Sequence, residues 1–496
     1  MTTARGGTSV RVASTAPSSA HRQATAQSLT SAGAVVAQAS APPPPPDDRP
    51  DDGDGASTPP AGNEARLTPD NEIIGVCRSG ATSTITIAPD WNGQTWRGWG
   101  TSLAWFGNYV GKLPDDQFNL VMDLLFDKDK GIGLNLARYL IGGSVNYTNS
   151  PQFLTAAWET RSLPGFRVQP NGPGDTAGAE QNKCNLKPEY FQAYTEYQAS
   201  VIERYHRYWN VTFSTMNPAN EALEGWWVQG HRNEGCNFNP QELTTLIRLL
   251  TATLRKRKLP TKVAGFDSFV GATLRYTYKF PAAVKAGLFR LNVHGYIPPP
   301  PNTTDTRRYM EGVMVGMHRM ATGLGKEVWM SEVGPMWVSG NDVGVMLFTA
   351  RQIVQAVNIM GASAWIFWQA VSGVATNPDA FLKWGLLAVR IYRLNDTEIK
   401  PLDLHCIAAF FHPDQHFVSI FIVNQRDTTH TATFQLEDFV PFDAGQECVV
   451  ETFRTSATEN NTLVATQSFT DVPASIQVAA LGSSMTSVVL WNVDSA

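Results

Sequence analysis

Residues 327–369 read EVWMSEVGPMWVSGNDVGVMLFTARQIVQAVNIMGASAWIFWQ. Two short apolar runs, 327–332 and 364–369, flank a stretch, 343–360, whose apolar residues recur at helical spacing. Strand, helix and strand in that order make a parallel β–α–β unit. Reading outward, the alternation continues upstream. Strands are expected at 96–105, 133–141, 211–216, 262–266 and 291–296. Helices are expected at 115–127, 188–208, 240–255 and 305–322. In the first of these helices Phe118, Leu120, Val121, Leu124 and Leu125 share the helical period. No glycine-rich phosphate loop follows any strand, so a dinucleotide-binding sheet has little support. The expected class is α/β, a (β/α)₈ TIM-type barrel, complete or with a gap. From about residue 401 the helical period stops. Runs at 405–411, 417–424, 430–436, 448–453 and 485–491 read as strands of an all-β sandwich, and the alternating run 82–87 is a candidate to join it. The expected domains are a low-complexity tail at 1–66, an N-terminal strand region at 67–92, the barrel at 93–392 and the sandwich at 393–496.

The gross properties narrow the function. The chain has 496 residues and a net charge of −5 without a basic patch, which argues against nucleic acid as a partner. Fourteen Trp, 13 Tyr and 24 Phe are compatible with sugar binding, although most rings in any large protein are core. Five cysteines (Cys77, Cys184, Cys236, Cys406 and Cys448) contain no CxxC pair, so a zinc or redox motif is not expected and disulfide connectivity is open. Sequons stand at Asn146, Asn210, Asn302, Asn395 and Asn460. No uninterrupted apolar run is long enough to span a bilayer. No residue before Asp47 is acidic, and that stretch is rich in Ser, Thr and Ala with Arg5, Arg11 and Arg22. It reads equally as an organelle transit peptide, a disordered tail or a misassigned gene start.

Parallel barrels carry their active sites at the C-terminal strand ends. Arg138 ends one strand, Asn220-Glu221 follows another, Asp267 and then His294 and Tyr296 follow the next two, Glu332 ends a fifth, and Trp368 lies at the end of the last. Two glutamates at two strand mouths suit glycoside hydrolysis. One protonates the leaving oxygen, and the other attacks the anomeric carbon at about 5–5.5 Å for retention. Each residue also has a plainer reading: a surface glutamate, a turn asparagine, a structural arginine or tryptophans that pack a loop. His294 is read as structural, Glu234 as a solvated loop residue, and Asp267 is left unassigned.

The series Arg97-Gly98-Trp99-Gly100-Thr101-Ser102-Leu103-Ala104-Trp105, Gly133 to Tyr139, Asn220-Glu221 with Trp226-Trp227, Asn233-Glu234-Gly235-Cys236, and Trp329-Met330-Ser331-Glu332 resembles glycoside hydrolase family 30, and within it the endo-β-1,6-galactanases. The resemblance implies Glu221 as acid/base and Glu332 as nucleophile. It implies that Asn220 holds the 2-hydroxyl of the reacting sugar, that Arg138 and Tyr296 hydrogen-bond the nucleophile, and that Trp368 floors the glycone subsite. Trp105, Trp226 and Trp227 border the cleft. It implies a polysaccharide or oligosaccharide substrate, a secreted protein, and no cofactor or metal.

Three departures stand out. The family's third barrel strand has no counterpart in 144–188, where Asn149-Ser150-Pro151 is a superficial match. The link 384–400 is short, and Ala222 replaces the family's proline after the acid/base. The gap reads as an unrecognised filler, an open barrel or lost exons, with lost exons favoured. The competing functions are therefore an active β-1,6-galactanase, another family 30 β-glycosidase (glucosylceramidase, β-1,6-glucanase or xylanase), and an inactive carbohydrate-binding scaffold.

Overall fold

Short apolar runs and amphipathic helices alternate in the folded chain as they do in the sequence. The computed structural model describes residues 77–78, 80–89, 95–103, 106–141, 186, 188–225, 237–296, 306–334, 342–371 and 405–496. All fall in the unit Val36–Ala496. The expected tail at 1–66, the segment 142–185 where the third strand was sought, and the link 384–400 lie outside the described residues.

Two N-terminal strands come first, β1 (Cys77–Arg78) and β2 (Thr82–Ile87). The α/β part then runs β3 (Gly98–Ser102), α1 (Phe106–Val110), α2 (Asp115–Phe126), β4 (Leu136–Arg138), α3 (Phe191–Trp209), β5 (Thr215–Met216), α4 (Pro240–Lys256), β6 (Lys262–Val263), β7 (Gly265–Phe269), α5 (Val270–Thr277), α6 (Ala282–Gly287), β8 (Leu291–His294), α7 (Thr306–Leu324), β9 (Val328–Val333), α8 (Asp342–Gln355) and β10 (Ala362–Phe367). Strands β4, β3, β10, β9, β8 and β7 lie side by side in that order, every pair parallel. Strand β5 pairs in parallel with β6, and β6 and β7 are two halves of one run interrupted at Ala264. Among the described residues no strand lies between β4 and β5. Their ends nevertheless meet: Arg138 donates to Asn220 over 2.7 Å, and the Tyr139 ring packs on Tyr205 (4.9 Å) and Phe213 (6.2 Å).

Local chemistry explains several of these elements. Asn239 caps α4 by accepting from Gln241 N and Glu242 N, Glu242 returns a bond to Asn239 N, and Pro240 occupies the first turn, where it needs no donor. Helix α3 stops at Asn210, which takes a left-handed conformation (φ 54°). Gly98 has φ 146°, and a Cβ there would collide with Asn135, whose Oδ1 accepts from Trp99 N. Glycine thus lets β3 and β4 approach. Leu250, Leu291, Val293, Met317 and Trp365 fill the core between helices and strands. The stretch Val343–Met360 is apolar enough to cross a membrane by composition. Here it is a core helix: Leu347, Ala350 and Val354 pack on Cys406, Ala408 and Val423.

The C-terminal part is β-rich. It comprises β11 (His405–His412), β12 (Phe417–Asn424), β13 (His430–Leu436), β14 (Phe439–Pro441), β15 (Cys448–Thr455), β16 (Thr462–Phe469), β17 (Ser475–Ala480), β18 (Ser484–Trp491) and β19 (Val493–Ser495). One sheet runs β1-β11-β12-β18-β15-β16 and another β17-β13-β2. Strand β2 does pair with β13, in parallel. Between the sheets lie Ile87, Ile420, Ile422, Phe434, Val450, Ile476, Val488 and Leu490. Cys406 is disulfide-bonded, Cys77 stands directly opposite it on β1, and Cys448 is a free buried thiol. Cys184 and Cys236 lie outside the described residues.

The sequence reading missed α5, α6, β16 and β17. Strand β16 is exposed along nearly its whole length, so it carries no buried face to betray it. Strand β17 does alternate, with Ile476, Val478 and Ala480 buried, and the signal was there to be read.

Candidate active site

Each side chain of the site sits in the C-terminal part of a parallel strand or just beyond it, Asp267 at the middle of its strand. Arg138 closes β4, and Asn220-Glu221 follow β5. Asp267 lies in β7, His294 closes β8 with Tyr296 two residues on, Ser331 and Glu332 lie in β9, and Trp368 follows β10. Parallel strands point their C-termini the same way, so these residues converge on one mouth. The backbone is bent to aim them. Glu221 and Asp267 hold φ of 49° and 51°, a left-handed region that non-glycine residues rarely enter. The turn at 221–224 is stitched to β7: Glu221 N donates to Asp267 O over 2.6 Å and Leu223 N to Ser268 Oγ over 3.1 Å.

Arg138 is the hub. Nη1 donates to Glu332 Oε2 over 2.6 Å, and Nη2 donates to Asp267 Oδ2 (2.8 Å) and Asn220 Oδ1 (2.7 Å). His294 is fully buried between three carboxyls. Nδ1 is 3.0 Å from Glu221 Oε1, and Nε2 is 3.3 Å from Asp267 Oδ1 and 3.5 Å from Glu332 Oε2. Ser331 donates its hydroxyl to Asp267, and Tyr296 hydrogen-bonds Glu332. Tyr296, Phe269 and Trp368 form one apolar wall. A carboxyl oxygen of Glu221 and one of Glu332 lie within 4.8 Å of each other.

No family model matches the chain. An endo-β-1,6-galactanase of Hypocrea rufa is 23% identical over 366 residues, 62% of this chain and 70% of that protein. The likeness to a β-1,6-galactanase expected from the motifs is therefore found over 62% of the chain. This chain is a glycoside hydrolase. Solved structures carry the same fold. A glycoside hydrolase family 30 subfamily 8 xylanase from Clostridium acetobutylicum aligns at a TM-score of 0.55 and 20% identity, over 83% of this chain and all of that one. An endo-β-1,6-glucanase aligns at a TM-score of 0.55 and 14% identity, over 82% of this chain and 94% of that one.

Electrostatics in the hydrolase follow from burial and pairing. Burial works against the charge on Arg138, but Asp267 and Glu332 outweigh it and keep the guanidinium protonated. Burial also opposes the charge on Asp267, which Arg138 and His294 hold well below the usual carboxylate range. His294 is pushed up to about 10: desolvation opposes its charge, and Glu332, Asp267 and Glu221 overcome it. The imidazole is thus a cation at neutral pH. Burial raises Glu332 above its ordinary value, against the pull of His294 and Arg138. Burial, then Glu332 and Glu221, raise Tyr296 well above 10, so its hydroxyl stays a donor. Burial and the charge of Glu221 push Glu224 up to about 8.

Glu221, His294 and Glu332 lie close enough to share a metal ion. Glu332 already accepts from Arg138 over 2.6 Å, so the trio is read as part of an ion-pair network and not as a metal site. The structure brings together Glu221, Glu332, Asn220, Arg138, Tyr296 and Trp368 as the sequence grouped them. Trp105, Trp226, Trp227 and Glu234 lie outside the described residues. His294 belongs to the network itself, not merely to the core, and Asp267, Ser331 and Glu224 join it. Asp267 and Ser331 carried only their position near a strand end as a sequence signal, and Glu224 carried none.

Proposed function

We propose that this hydrolase cleaves β-1,6-linked galactan within the chain and with retention of anomeric configuration, Glu332 being the nucleophile and Glu221 the acid/base. The observation that carries the reading is the approach of the two carboxyls to within 4.8 Å, with Arg138 on Glu332. Retaining enzymes hold their pair about 5–5.5 Å apart, and inverting enzymes need about 6.5–9.5 Å to admit a water. The Hypocrea relative's name supports galactan as the substrate.

In the first half-reaction Glu221 gives its proton to the glycosidic oxygen while Glu332 attacks the anomeric carbon. The C–O bond to the leaving sugar breaks and a glycosyl ester forms. Glu221, now ionised, takes a proton from water, whose oxygen displaces Glu332 and regenerates it. Arg138 and Tyr296 hold the attacking oxygens of Glu332. Asn220, fixed by Arg138, is placed to hold the 2-hydroxyl, and Trp368 floors the glycone subsite. Trp105, Trp226 and Trp227 are assigned to the cleft rim on the family resemblance alone.

The same reading takes the parallel part, 93–392, as a (β/α)₈-type barrel and 393–496 as a sandwich. What supports closure is the bridging of β4 and β5 by Arg138, Asn220 and the Tyr139 ring. A complete charge network favours turnover over binding alone, since a dead scaffold has no need of it.

The test is reducing-sugar release from β-1,6-galactan, with the anomer of the first product read by NMR. Wild type is expected to release the β-anomer, and Glu332→Gln to lose at least about 10³-fold in kcat. Release of the α-anomer refutes retention. Full activity in Glu332→Gln refutes the nucleophile. A cooperatively folded wild type that binds but never cleaves galactan refutes the enzyme.

A further inference from the structure

Glu224 lies three residues past the acid/base, is 5% exposed, and has no place in the reaction as written. Its carboxyl accepts from Phe269 N over 2.9 Å, and its own amide donates to Glu221 O over 3.2 Å. Three hydrogen bonds therefore join the turn to β7: Glu221 to Asp267, Leu223 to Ser268, and Phe269 back to Glu224. The third runs opposite to the other two and closes the loop. Both residues it brackets, Glu221 and Asp267, are in left-handed conformations that persist only where the surroundings over-determine them. Phe269 in turn packs on Tyr296, which meets the nucleophile.

We propose that Glu224 is a positioning residue for the acid/base: its carboxyl clamps the 221–224 turn to β7 and so holds Glu221 in the conformation from which it meets His294. The inference rests on reading Glu221 as the acid/base. The clamp works as an uncharged acid. The charged or titrating groups that face it are Glu221 on its own turn, His294 at the end of β8 and Arg275 on α5. Burial, and then Glu221, keep its proton on up to about pH 8, and above that a negative charge arrives beside Glu221.

Two variants and two substrates separate positioning from general damage. Glu224→Ala deletes the clamp. Glu224→Gln keeps an oxygen to accept from Phe269 and cannot ionise. On β-1,6-galactan, whose leaving sugar needs a proton, Glu224→Ala is expected to lose roughly 10–100-fold in kcat with KM within about threefold, part of what a general acid supplies. On 2,4-dinitrophenyl β-galactoside, whose leaving group needs none, kcat/KM should fall less than about threefold. Glu224→Gln should restore galactan hydrolysis to within about threefold at pH 6 and lack the inflection expected of wild type near pH 8. Equal losses on both substrates, or no loss in Glu224→Ala, overturn the proposal. So does an inflection that survives in Glu224→Gln. A wild type inactive on both substrates would sink the galactanase reading instead. The clamp is then decided by the crystal structure of Glu224→Ala: Glu221 leaving its contact with His294 supports it, and Glu221 unmoved overturns it.

Discussion

Replacing Arg138 with methionine tests the electrostatic core of the site. The side chain keeps an unbranched apolar stem and loses the guanidinium with its charge. In the wild type one guanidinium faces two carboxylates, Glu332 at 2.6 Å and Asp267 at 2.8 Å, whose side chains are 5% and 6% exposed. Burial raises Glu332, and Arg138 and His294 pull it down. With Arg138 gone only His294 pulls. Charge centres about 4 Å apart interact by about 4 kcal/mol at an effective dielectric constant of about 20, or about 3 pH units. Removing a cation raises the carboxyl further, so ionised Glu332, the proposed nucleophile, is present only at higher pH. The acid limb of kcat/KM, measured on an aryl β-galactoside that needs no proton, should move up by about 2–3 units. Leaving two buried carboxylates underpaired should also cost about 3–5 kcal/mol of stability, seen as a melting point lower by several degrees. A folded Arg138→Met protein whose acid limb stays within about half a unit of wild type would refute the claim that Arg138 holds the nucleophile ionised.

Two further outcomes follow from the geometry. His294 is raised from 6.5 to about 10 on folding, so its stabilising contribution is complete below about pH 6.5 and is lost as pH climbs through about 10. Wild type should therefore melt progressively lower between those values, and His294→Phe should flatten the trend in a differential-scanning series across pH. Asn239→Ala removes both side-chain caps of α4 and should cost about 1 kcal/mol. A denaturant midpoint unchanged from wild type would show that the cap is redundant.

Several features are legible in the amino-acid sequence alone. Residues 327–332, 343–360 and 364–369 became β9, α8 with its continuation to Met360, and β10, because strand and helix write different periods into the chain and a parallel sheet needs both. Glu221 and Glu332 could be paired on position alone, since parallel strands share one mouth. The same argument reached Asn220, Arg138 and Tyr296. It stopped short at His294 and Asp267. A buried histidine looks the same in sequence whether it packs in a core or holds three carboxyls.

Some of the architecture also escaped pattern. Helices α5 and α6 are short, eight and six residues, and nucleate only against the core they cover. Strand β16 turns almost every side chain to solvent, so its identity comes from pairing with β15 alone.

The sequence by itself determined the alternating parallel unit, the β-rich C-terminal part and the two glutamates, since periodicity and strand-end position are local properties of the chain. Only the tertiary structure decided which charges meet. Arg138 and Glu332 stand 194 residues apart and touch at 2.6 Å, and Glu221 meets His294 over 3.0 Å, 73 residues away in the chain, from a backbone held at φ 49°. Protonation states depend on such long-range pairs and on the water excluded around them, and neither is written in any local stretch of residues.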